Sequence, residues 1–97
     1  MISLAILAAC AIAVVLFLLH FGDVKKWFKN QYDIPVDNID TYRVLVKGRL
    51  KSGKYKTIAG VFNDRTQEVY AQTAWKSDKI DDELAAMDQV TPIFDLE

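Results

Sequence analysis

From Ile2 to Phe21 the chain runs for twenty residues without a formal charge at neutral pH. Nothing else in the sequence restricts the fold so strongly. At 1.5 Å of rise per residue, a helix of that length reaches roughly 30 Å, about the hydrocarbon thickness of a bilayer. Lipid offers the backbone no outside hydrogen-bond partner, so a helix is the spanning form. The run predicts a transmembrane helix over residues 1–21. A juxtamembrane helix extension and linker follow over 22–40, and a small soluble α+β domain over 41–97.

Processing of the run fits less well than retention. A secretory signal has a positive n-region, an apolar stretch of about 7–15 residues and a small-residue cleavage site. Here that n-region is missing and the apolar run is longer. Cleavage at an Ala-x-Ala site near Ala9–Ala11 or Ala11–Ala13 would leave Val14–Phe21 as an apolar terminus. Leu7-Ala8-Ala9-Cys10 resembles a bacterial lipoprotein box, which would make Cys10 a lipidation site. The apolar stretch before it is very short, and strongly apolar residues follow it.

The flanks orient the expected anchor. Lys25, Lys26 and Lys29 follow the run, with Trp27 and Phe28 among them, where aromatic rings favour the headgroup layer. The positive-inside rule then places the N-terminus outside and the C-terminal domain in the cytoplasm. Ala5, Ala9 and Ala13 recur every four residues, a spacing that lets helices approach closely in lipid.

Past the anchor, Gly22 to Tyr32 continues the helix and Asp33 to Asp40, with Pro35, forms an extended linker. Tyr42–Lys51 and Lys54–Phe62 read as a hairpin around Ser52-Gly53. With those two residues as the turn, positions summing to 105 oppose each other. Tyr42, Val44, Val46 and Leu50 then share an apolar face with Tyr55, Ala59 and Val61. A third strand from about Glu68 to Trp75 alternates Val69, Ala71, Thr73 and Trp75. Ser77 is placed to cap a helix whose face carries Ile80, Leu84 and Met87. Pro92 ends it, and Ile93-Phe94-Asp95-Leu96 can add an edge strand. The expected fold is therefore membrane-anchored α+β: an antiparallel meander of three to four strands packed against one helix.

The same register puts Arg49 against Lys56 and Lys51 against Lys54, with Arg43 and Lys47 beside them, a basic sheet face. Residues 41–65 carry seven basic side chains and one acidic, a net of +6, while residues 66–97 carry two basic and eight acidic, a net of −6. Such a dipolar domain suits a solvated face, an acidic partner protein, a second copy of itself, or anionic headgroups. No nucleic-acid motif accompanies the charge, so nucleic acid is disfavoured.

Chemistry finds little purchase. One cysteine and one histidine, Cys10 and His20, exclude a disulfide framework and any two-histidine metal set. No glycine-rich phosphate loop is present. Asp81, Asp82 and Glu83 point in different directions on a helix and do not converge on a metal. The sequence thus points to a non-enzymatic single-pass membrane protein without a cofactor. Its cytoplasmic interaction domain would serve a larger membrane-associated complex as accessory subunit, assembly factor or regulator. Two alternatives stand beside this: headgroup binding through the basic face, and a phage- or plasmid-encoded protein acting on a host channel or assembly site.

Overall fold

The computed structural model describes residues 10–31 and 41–94 of the 97. Within them the expected anchor is replaced by a strand. Val14–Leu19 is β1, and the helix α1 begins only at Phe21 and ends at Lys29. No helix among the described residues is long and apolar enough to cross a membrane. The single-pass placement, with its outside N-terminus and cytoplasmic domain, therefore has no support. The physical reason lies in Val14-Val15-Leu16-Phe17-Leu18-Leu19. Strands of parallel sheets also read as unbroken apolar runs, and hydropathy alone does not separate them from a helix. β-Branched and aromatic residues favour the strand.

The remaining elements are β2 (Thr41–Arg49), β3 (Tyr55–Asn63), β4 (Glu68–Ile80), α2 (Asp82–Ala86) and β5 (Val90–Pro92). The sheet has five strands in the order β1-β4-β3-β2-β5, antiparallel except where β1 runs parallel to β4. Among the described residues two helices accompany it, so the meander of three to four strands with one helix is corrected on both counts.

The hairpin register differs from the expected one by a single residue. Thr41 pairs with Asn63 and Arg49 with Tyr55, so opposing positions sum to 104. The cause is the turn. Leu50 N–H donates to the Lys54 carbonyl, and Gly53 N–H to that of Leu50. The loop is therefore Lys51-Ser52-Gly53, with Gly53 at φ +89°, the left-handed position that a three-residue hairpin loop requires. A one-residue slip changes which side chains share a face. Leu45, Ala59, Val61 and Trp75 join one core with Leu19, Phe21, Val24, Phe28, Leu84 and Ile93. Val44, Ile58, Phe62 and Ala74 join a second with Cys10. The sheet is thus apolar on both faces rather than one.

β4 outruns its expected end. Ser77 is not a cap but a fully buried strand residue, and Asp81 caps α2 in its place. A bulge sets Val61 opposite Ala71 but Phe62 opposite Val69, which moves Val69 to the second core. Asn63 holds the turn before β4, its Oδ1 accepting from Arg65 N–H and Thr66 N–H at 3.0 Å each. The edge strand forms at Val90–Pro92, against Val44–Val46 of β2, rather than at Ile93 onward. Asp95 and Leu96 lie outside the described residues.

α1 is amphipathic. Phe21, Val24 and Phe28 are buried at i, i+3 and i+7, and Trp27 meets Trp75 edge-on with ring centroids 6.4 Å apart. Lys26 and Lys29 are exposed and Lys25 half-buried. The residues assigned to a headgroup layer (Lys25, Lys26, Trp27, Phe28, Lys29) are therefore the two sides of a helix packed on its own sheet. Of the alanine stripe, Ala5 and Ala9 lie outside the described residues. Ala13 is exposed and donates its N–H to the Ala74 carbonyl at 2.9 Å. The linker Asp33–Asp40 also lies outside the described residues.

One carboxylate joins the two halves. Asp81 Oδ2 accepts from Phe21 N–H at 2.8 Å and Oδ1 from Leu84 N–H at 2.9 Å, while Asp81 N–H donates to the Leu19 carbonyl at 3.0 Å. It satisfies orphan amides of both helices at once. Asp81→Ala is expected to cost about 2–3 kcal/mol in urea unfolding, with Asp81→Asn falling between it and the parent. An Asp81→Ala chain as stable as the parent would refute the bridge.

Cys10 is 6 % exposed, and burial raises its thiol pKa, against a smaller lowering by Lys56. A raised folded-state pKa contributes stability that is full below the unfolded value and lost as pH rises through the folded one. The parent should therefore lose stability in alkaline buffer faster than Cys10→Ala. Parallel stability–pH curves would contradict this.

Candidate functional site

The six basic residues expected on one face are distributed by the corrected register. Arg43, Lys47 and Arg49 lie on the side of the sheet that carries the helices, Lys51 and Lys54 at the hairpin tip, and Lys56 on the opposite side. The expected oppositions of Arg49 to Lys56 and of Lys51 to Lys54 are absent, since Arg49 faces Tyr55 and Lys56 faces Gly48. On its other flank Lys56 opposes Lys76 of β4.

Several of these cations are engaged with the chain itself. Lys47 Nζ donates to the carbonyls of Leu84 and Met87 at the end of α2, where a cation suits the helix dipole. Arg43 donates through Nε to the Ile93 carbonyl at 3.0 Å and through Nη2 to that of Phe94 at 2.8 Å. Lys54 pairs with Asp78 at 3.3 Å, half-exposed on both sides. Arg49 lies 4.5 Å from the Tyr55 ring centroid and donates to its hydroxyl. Basic segment and acidic segment are thus interleaved by sheet pairing rather than set on separate sides.

Between the hairpin, the end of β4 and α2 there is an open cleft of about 360 Å³, bordered by Lys47, Arg49, Tyr55, Ile80 and Gln89. It offers one guanidinium and one phenol to a ligand, since Lys47 is committed to carbonyls. A nucleophile with a neighbouring base is not among its lining residues. Among the described residues no three His, Cys, Asp or Glu side chains come together as a metal site. Asp81 acts as a cap, while Asp82 and Glu83 are exposed in the first turn of α2.

The feature that sequence reasoning missed is the outer edge of β1. β1 stands at the end of the sheet, and no described strand pairs with its far side. Ala13 N–H and the Leu19 carbonyl both point inward, to Ala74 and Asp81. Val15 pairs with Lys76, whose neighbours Trp75 and Ser77 bond to β3, so Val14 and Leu16 also turn their groups to β4 and Val15 turns its own outward. Val15 and Phe17 are 67 % and 66 % exposed. The opposite edge differs: β5 has three residues and includes Pro92, both devices that blunt edge pairing. β1 has neither proline nor charge.

No family model, curated protein or solved structure matches the chain. Function must therefore be argued from this geometry. The signal in the sequence was Val14–Leu19 itself, rich in strand-forming residues, but its length within a longer apolar run concealed it.

The contrast between engaged and free cations is measurable. Lys47→Met should cost about 1–3 kcal/mol in denaturant unfolding, because it leaves α2 carbonyls without their donor. Lys51→Met, at the exposed tip, should stay within about 0.5 kcal/mol of the parent. Equal effects would show that the Lys47 contacts carry no stability.

Proposed function

We propose that this chain is a non-enzymatic interaction domain that works as a subunit of a protein assembly, joining it by strand addition at β1. The observation that carries this reading is the edge just described: six apolar residues, the outward-turned amide and carbonyl of Val15, and exposed Val15 and Phe17. An unprotected apolar edge is a template for another strand, with main-chain hydrogen bonds giving affinity and alternate side chains giving specificity. As accessory subunit or assembly factor, the domain would be stapled into its complex by that edge. The basic residues favour no second reading, because most are bonded within the chain and they share no one face.

The test is affinity purification of the full chain, native against Phe17→Lys. Phe17 is exposed, so the substitution should leave the fold intact by circular dichroism while placing a charge on the edge. A protein component co-purifying in stoichiometric amount with the native chain, and lost with Phe17→Lys, is the expected result. The same component retained by Phe17→Lys would sink the edge as the contact.

A further inference from the structure

We infer that the cleft beside α2 binds a small organic carboxylate, held by Arg49 and Tyr55 with its hydrocarbon part against Ile80 and Ala85. None of the residues bordering the cleft belongs to β1, so the site does not rest on the interaction edge. β2 outruns β5 here. β5 pairs with Val44–Val46 alone, and β2 continues to Arg49 with no described strand on that side. Lys47 N–H turns outward to the Gln89 carbonyl at 2.8 Å, and Leu50 N–H turns inward to that of Lys54 at 2.8 Å. By alternation the Arg49 amide turns outward past the end of β5, where no described residue accepts from it.

Arg49 and Tyr55 thus bring unspent donors to one opening. Arg49 Nη2 donates to the Tyr55 hydroxyl, which occupies one guanidinium N–H and leaves the others. Among the described residues the Tyr55 hydroxyl has no acceptor for its own proton. An oxyanion supplies that acceptor and takes charge-assisted bonds from the guanidinium. The charge at the border has a single sign. Lys47 stays cationic while bonded to the α2 carbonyls, Arg49 adds a second cation, and no carboxylate lines the cleft with them. Two features narrow the anion to a carboxylate on a hydrocarbon. The guanidinium lies 4.5 Å from the Tyr55 ring centroid, which holds a planar fork that matches two carboxylate oxygens. Ile80 and Ala85 form an apolar stretch of wall that an inorganic anion would leave uncovered. The volume, about 360 Å³, suits a small ligand.

NMR titration of the full isotope-labelled chain tests this, with hexanoate, hexylammonium and inorganic phosphate as probes. Hexanoate should shift the Arg49 amide and side-chain Nε signals saturably, with a dissociation constant on the order of 1 mM. Hexylammonium, with the same tail and the opposite charge, should shift neither, and phosphate should bind roughly tenfold more weakly. Arg49 is exposed, so Arg49→Gln should keep the fold by circular dichroism while weakening hexanoate binding roughly tenfold. Tyr55→Phe removes only the proton donor and should weaken it severalfold. Lys51→Met, outside the cleft, should bind hexanoate as the parent does. Absence of a saturable Arg49 shift up to about 20 mM hexanoate overturns the proposal. So does hexylammonium binding as tightly as hexanoate, which would leave only a patch for apolar tails. Arg49→Gln binding hexanoate as tightly as the parent overturns it too, and phosphate matching hexanoate overturns the assignment to a carboxylate.

Discussion

The arrangement depends on how β1 is tied to β4. The two strands are parallel, so each needs a connection that carries the chain away from the same end of the sheet, and each has a helix there. Asp81 closes that end. Its amide reaches the last carbonyl of β1, and its carboxylate divides between the first turns of α1 and α2. A carboxylate at a helix N-terminus is favoured by both orphan amides and dipole, and here one group serves two helices. Leu19, Phe21 and Leu84, all in the main core, are held within a few residues of it.

With that end fixed, the rest of the sheet is organised by the hairpin loop. Three residues rather than two, with Gly53 in the left-handed region, set the pairing sum to 104. Leu45 then enters the core under the helices and Val44 the core on the other side. Lys47 and Arg43 land where helix and chain-end carbonyls need donors. A face that looked like a binding surface in one register becomes structural in the next. Burial of both sides also explains why 52 % of so short a chain is hydrophobic without a bilayer-spanning helix among the described residues.

The functional reading follows from what this organisation leaves undone. β5 is short and carries proline, and the cations are mostly bonded, but β1 has no described strand on its far side and keeps two large apolar side chains outside. Interaction at an edge needs no catalytic constellation. The cleft beside Arg49 and Tyr55 supplies charge without an acid–base pair.

Much of the central sheet was legible in the residues alone. Alternation from Tyr42 to Trp75, the glycine near the hairpin tip and the turn residues after Phe62 mark three strands, because these signals are local. The pattern of Phe21, Val24 and Phe28 likewise marks a helix face. Tertiary structure alone decided the rest. Whether Val14–Leu19 is helix or strand depends on the availability of β4 as a partner, sixty residues away, which hydropathy does not encode. Which side chains share a face depends on one extra loop residue, since a strand's period of two turns a single-residue slip into a change of side. Asp81 reads as one of three acidic neighbours, and only the fold brings two helix ends to its carboxylate.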